Sequence, residues 1–76
     1  MEIQLFVDQF ANQFDETDPS EFKPETCFRD LDEWNSFLAL AIMAMIKTEY
    51  DVAVTAQEMR DAQTIQDLFN IVQSHI

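Results

Sequence analysis

The chain has no glycine at all, and only two prolines, one cysteine, one histidine and four lysine or arginine residues among its 76. Without glycine, no Gly-rich loop can cradle a phosphate. A calcium loop likewise lacks its central turn residue, so Asp30, Asp32 and Glu33 are expected to form a solvated acidic loop, not a cation site. The lone Cys27 cannot close an internal disulfide, which fits a reducing compartment. No partner can be named for it in catalysis or metal binding, so it is expected to be a small, partly buried apolar residue. The only histidine, His75, stands at the far end of the chain. The four cations face 15 acids, giving a net charge of −11. That charge repels phosphate backbones and anionic headgroups, which excludes nucleic acid and simple membrane docking as expected functions. It favours basic patches on other proteins, which it would attract at a rate that falls with salt. The longest apolar run, Phe37 to Ile46, is well short of a membrane span. Met1 to Phe14 is acidic and amphipathic, unlike a secretory signal. The expectation is a cytoplasmic monomer without membrane insertion.

What the chain does have is apolar content of 47%, including seven phenylalanines, one tryptophan and one tyrosine. That is enough for a folded domain despite the charge. Residues 1–76 are read as one domain, small enough for its core to be marginal unless the helices pack well. Ile3, Phe6, Val7, Phe10, Ala11 and Phe14 recur at helical spacing and predict a first helix over about residues 2–14, with this stripe as core. Asp18-Pro19 and Lys23-Pro24 break the segment that follows, and Asp15 to Asn35 reads as an unusually long connection anchored by Phe22, Phe28 and Leu31. A second helix is predicted from Ser36 to about Glu49, followed by an extended linker through Val52 and Val54. Thr55 and Glu58 have capping-box spacing and open a short third helix ending near Asp61. Thr64 caps a fourth, striped by Ile65, Leu68, Phe69 and Val72. The fold class predicted is all-α, a small four-helix bundle with three longer helices, a short third one and a long loop between the first two.

Ser36 stands where polar loop gives way to apolar helix, a favoured N-cap position. As a nucleophile it lacks a partner, because His75 is remote in sequence and Lys47 lies about three helical turns away. It reads as a substrate of another enzyme, not as a catalyst, and no enzymatic activity is expected of the chain. The setting is more specific than the serine alone. An acidic loop carrying Trp34 leads into Asn35-Ser36-Phe37 and an apolar helix; Phe28 precedes the serine; Tyr50-Asp51-Val52 closes the second helix; a capped third helix and Ile65-Gln66-Asp67-Leu68 follow. With the length and acidity, this pattern resembles the acyl carrier protein family over essentially the whole chain. The resemblance implies a bundle of that family's kind, with Ser36 as the attachment point for 4'-phosphopantetheine taken from coenzyme A. It implies a phosphopantetheinyl transferase as one partner, and acyl-loading, condensing or acyl-transfer enzymes of fatty-acid, lipid or polyketide-type biosynthesis as others. The thiol of the arm would carry acyl groups as thioesters between them.

The chain departs from the family pattern in ways that bear on partners. Asn35 stands where the family usually has Asp, and Phe37 where it has Leu. Leu31 lies five residues before the serine instead of four, and the customary glycine is absent. The second helix carries Leu38, Ala39, Ala41, Ala44 and Met45 where carboxylates commonly face basic enzymes, and Lys47 where an acid is expected. A helix apolar all round is buried or presents a contact surface. Leu40, Met43 and Ile46 are assigned to the core side, and Leu38, Ala41 and Met45 to the exposed side. Partner recognition is therefore expected at Trp34, Asn35, Phe37, Leu38, Ala41 and Met45, with self-association as the alternative use of that face. Two other functions stay open: an aminoacyl or peptidyl carrier loaded by an adenylating enzyme, and a helical interaction module without a prosthetic group.

Overall fold

The computed structural model describes residues 2–76. Among these the chain is a small all-α bundle: α1 (Ile3–Ala11), α2 (Ser36–Tyr50), α3 (Ala56–Asp61) and α4 (Ile65–Ser74), with 3-10 turns at Pro19–Glu21 and Phe28–Asp30 inside the long connection. The predicted element order and the short third helix are found, with α1 ending at Ala11 before two turn residues carry the chain to Phe14.

Each helix begins or ends where local chemistry allows it. Thr55 and Glu58 form the reciprocal capping box of α3. Thr64 caps α4, and Asp67 reaches back to the Thr64 amide to complete a second box, with aspartate in the place where glutamate or glutamine is usual. Such reciprocal bonds satisfy amide groups that a helix cannot pair internally. Further donors of the first turn of α4 are taken by the long loop, as Ile65 N–H donates to the Thr26 carbonyl at 3.2 Å and Gln66 N–H to the Pro24 carbonyl at 2.8 Å. At the end of α2, Asp51 adopts the left-handed conformation with φ 55°. That position usually calls for glycine or asparagine, and aspartate is among the few other residues that tolerate it.

The core forms where the apolar faces meet. Phe6, Val7 and Phe10 of α1, Ile42, Met45 and Ile46 of α2, Met59 of α3 and Ile65, Leu68, Phe69 and Val72 of α4 are buried together. Val52 and Val54 of the extended linker point inward while Ala53 is exposed, as alternation along an extended segment requires. Tyr50 at the end of α2 donates its hydroxyl proton to Gln9 of α1, and Gln9 donates in turn to Glu49. Burial, with the nearby Glu49 carboxylate, raises the Tyr50 pKa and keeps it a donor.

The long connection is held by its own side chains. Phe22 and Phe28 are buried and Leu31 is partly so. Phe10 sits among the rings of Phe14, Phe22, Phe28 and Trp34, with centroids 5.6, 6.1, 5.3 and 6.4 Å away. These separations lie in the range at which aromatic pairs attract beyond their area burial.

Glu33 corrects the expectation of a wholly solvated acidic loop. Its carboxylate accepts the amide protons of Asp15, Glu16 and Thr17 at 2.9, 3.1 and 2.9 Å and the Thr17 hydroxyl at 2.7 Å. It thus closes the loop onto the end of α1, while Asp30 and Asp32 remain exposed. The Thr17 hydroxyl, then the three amides, hold its pKa below the ordinary glutamate value, outweighing some desolvation. A depressed carboxylate pKa adds stability that is present above the unfolded-state pKa and lost as pH falls through the folded-state value. Glu33→Gln is therefore expected to lower the thermal midpoint by several degrees at pH 7. The gap to the wild type should close as both are acidified below the ordinary glutamate pKa of about 4.3. Circular dichroism melts across that range check it.

Candidate functional site

The candidate serine opens α2, but it does not cap it. Asn35 is the N-cap residue, extended at φ −157° and ψ 178°, and its side-chain oxygen accepts the Leu38 amide at 2.9 Å. Ser36 is the first residue of the helix and is exposed. The assignment of Ser36 as cap is thus corrected by one position. Asn and Ser are nearly equivalent caps, so adjacent candidates are decided by which backbone stays extended. The cap duty falls to Asn35 and leaves the Ser36 hydroxyl clear of it.

Ser36 borders a groove of about 350 Å³ between α2 and α3, lined also by Trp34 and Arg29 from the loop. Ser36, Ala39, Leu40 and Met43 supply the α2 wall, and Ala56, Met59 and Arg60 the α3 wall. The α2 set follows i, i+3, i+4 and i+7, so it forms one stripe along that helix. Arg29 is fixed by two carbonyls at the end of α3: its Nε donates to Ala62 O at 3.0 Å and its Nη2 to Met59 O. A guanidinium suits this place because the last carbonyls of a helix lack internal partners and carry partial negative charge. Arg60 donates to the Gln57 side chain at 3.1 Å.

The other candidates divide. Phe37 and Leu40 are the open large apolar residues of α2, 84% and 64% exposed. Leu38 and Ala41 are half-buried. Met45 is 8% exposed and belongs to the core. Two assignments are reversed: Met45 faces inward with Ile42 and Ile46, and Leu40 faces solvent. The apolar composition on every side of α2 gave no stripe by which to set the rotation of the helix. Met43 is partly buried against the core and also borders the groove. Trp34 is half-buried, stacked on Phe10 with 4° between ring planes and tilted against Phe28 at 4.8 Å, so it serves the core and the groove together.

His75 is engaged elsewhere, its Nε2 being 2.8 Å from Glu58 Oε2 on α3. The Thr55 amide first, and then His75, hold the Glu58 pKa low. Cys27 is partly buried and forms an isolated bridge with Thr64. Desolvation, and then the Asp30 carboxylate, raise its thiol pKa, which disfavours the reactive thiolate. Sequence reasoning missed Arg29 and Arg60 as neighbours of Ser36. The partners of Arg29 lie 30 and 33 residues away, a separation that carries no local signal. Comparison with protein-family models, with curated proteins and with solved structures gives no match.

Proposed function

We propose that the protein is a carrier whose Ser36 is modified with 4'-phosphopantetheine and whose arm bears acyl groups as thioesters between enzymes. The observation that carries the reading is an exposed serine at the first position of a helix, with the cap bond supplied by Asn35 and an apolar groove beside it. In the modification the Ser36 oxygen bonds to the pantetheine-side phosphorus of coenzyme A. The pyrophosphate bond breaks, adenosine 3',5'-bisphosphate leaves, and the serine proton passes to a base of the transferase. The residues around Ser36 fit the product: an anionic phosphodiester on the opening turn of α2 meets amide groups without internal partners and the positive end of the helix dipole. When attached, the group supplies a thiol for thioester chemistry; the chain itself supplies the attachment oxygen and a contact surface.

Partner enzymes would read Phe37 and Leu40, with acidic residues giving longer-range attraction. The cargo is an acyl chain of fatty-acid, lipid or polyketide-type biosynthesis. The exposed apolar start of α2 also supports an aminoacyl or peptidyl cargo, because it lacks acids in its first turn. The test is intact mass after incubation with coenzyme A and a broad-specificity phosphopantetheinyl transferase. Wild type is expected to gain one phosphopantetheinyl unit and Ser36→Ala none. Folded wild type that gains nothing with several such transferases would overturn the carrier reading in favour of an interaction module.

A further inference from the structure

The surface around Ser36 is divided by charge. Glu33 borders an acidic recess together with Glu16, Glu21 and Asp32, and no cation lines it. A few residues on, Ser36 borders the groove between α2 and α3, where Arg29 and Arg60 stand and no lining residue is acidic. Half of the chain's four lysine or arginine residues thus meet at one groove, in a molecule with 15 acids. Neither is matched by any of them: among the described residues the ion pairs are Lys47 with Asp51 and His75 with Glu58. Arg29 is engaged by the Ala62 and Met59 carbonyls, and the negative end of α3 already offsets its charge. Arg60 is exposed and donates to the neutral Gln57 side chain at 3.1 Å. A guanidinium carries five N–H donors in a planar fork that matches a carboxylate, so Arg60 keeps charge and donors to offer beside the apolar edge of Leu40.

We propose that an enzyme docking on Ser36 sets a carboxylate of its own against Arg60, next to its apolar contact with Leu40, while its basic groups meet the acidic loop; the inference rests on Ser36 being the attachment point. A free anion would approach Arg60 against the field of the whole acidic chain. A carboxylate carried on a protein face that also brings basic groups to the loop does not approach alone. The two charges then do different work. The acidic loop draws the partner in, and Arg60 selects how it lands. A partner turned the other way would bring its basic groups to Arg60 and its carboxylate to the acidic loop, and like charges facing one another across an interface strongly disfavour that docking. In the favoured orientation the guanidinium and carboxylate pair through parallel hydrogen bonds, which adds direction to the attraction. Arg60 is thus a specificity contact, with no part in the transfer itself.

The experiment compares kcat/KM for loading by a broad-specificity phosphopantetheinyl transferase across charge variants at low ionic strength, with intact mass as the readout and a melt for each variant. Net charge and local charge predict opposite signs. Arg60→Glu makes the chain two units more acidic, which by itself speeds encounter with a basic enzyme. It is expected instead to lower kcat/KM about tenfold or more, chiefly through KM, at an unchanged thermal midpoint. Arg60→Lys should retain more than Arg60→Gln, as a point charge without the paired geometry. Lys23→Glu makes the same charge change outside the groove and should load at the wild-type rate or faster. Carboxylates around the transferase active site are then reversed to arginine one at a time. One such change should restore loading of Arg60→Glu at least about threefold while slowing that of wild type, as the coupling of a direct pair requires. An Arg60→Glu protein loaded as fast as wild type overturns the inference and leaves the carrier reading standing. So does a slow Arg60→Glu protein that no reversal relieves. Failure of folded wild type to load overturns both.

Discussion

Phe10→Ala is expected to lower the thermal midpoint by about 12–40 °C, because this ring is the hub of the aromatic cluster. Phe10 is fully buried, and four aromatic rings stand within 6.4 Å of its own. Truncating a buried phenylalanine costs about 3–5 kcal/mol, and the lost ring pairs move this site toward the upper end. A chain of 76 residues has a total stability of about 4–11 kcal/mol at the usual value per residue, so the variant keeps little of it. Leu5 is the control. It lies on the same helix but is 54% exposed, and Leu5→Ala should change stability by less than about 0.5 kcal/mol. Circular dichroism melts of the two variants check the pair, and Trp34 fluorescence reports separately because that ring is stacked on Phe10. Equal midpoints for the two variants would mean that the aromatic cluster does not hold the long connection to α1.

How much of this could be read in the chain follows from the distance over which each signal acts. The α1 stripe, the Thr55–Glu58 box and the Thr64 cap are signals within one or two helical turns, and each corresponds to an observed element. Phe22 and Phe28 stood out as large apolar side chains in an otherwise mostly polar connection, and both are buried. The start of α2 at Ser36 was legible, and only its cap was misplaced by one residue, because Asn35 and Ser36 are two adjacent good caps. The rotation of α2 was not legible. With Phe37, Leu38, Leu40, Ile42, Met43, Met45 and Ile46 spread around it, burial is decided by what α1 and the rest of the core present to it. The role of Glu33 was hidden too, because its partners are 16 to 18 residues earlier and nothing local distinguishes it from Asp32. The serine and its apolar helix were visible; the arginines that border the same groove needed the third dimension.

That rotation of α2 changes which substitutions probe partner recognition, and it sets the second large effect. On the proposal that Ser36 is the attachment point, Leu40→Glu is expected to reduce kcat/KM for its phosphopantetheinylation by about tenfold or more, with the circular dichroism spectrum and thermal midpoint close to wild type. Leu40 is 64% exposed, so a carboxylate there stays hydrated and costs the fold little. In a complex it would replace an apolar contact beside the reacting serine, and loss of one central interface residue commonly costs about 1–2 kcal/mol or more. Phe37→Ala should act in the same direction, since an aromatic ring 84% exposed next to Ser36 is the natural anchor of such a contact. Met45→Glu must fail differently. Its side chain is packed with the core, so the variant buries a carboxylate without a partner and should lose cooperative unfolding before transfer can be judged. Transfer measured beside a melt for each variant separates surface from core. If Leu40→Glu and Phe37→Ala were both modified at the wild-type rate, the exposed face of α2 would have no part in recognition by the transferase, and the acidic loop ahead of Ser36 would become the surface to test.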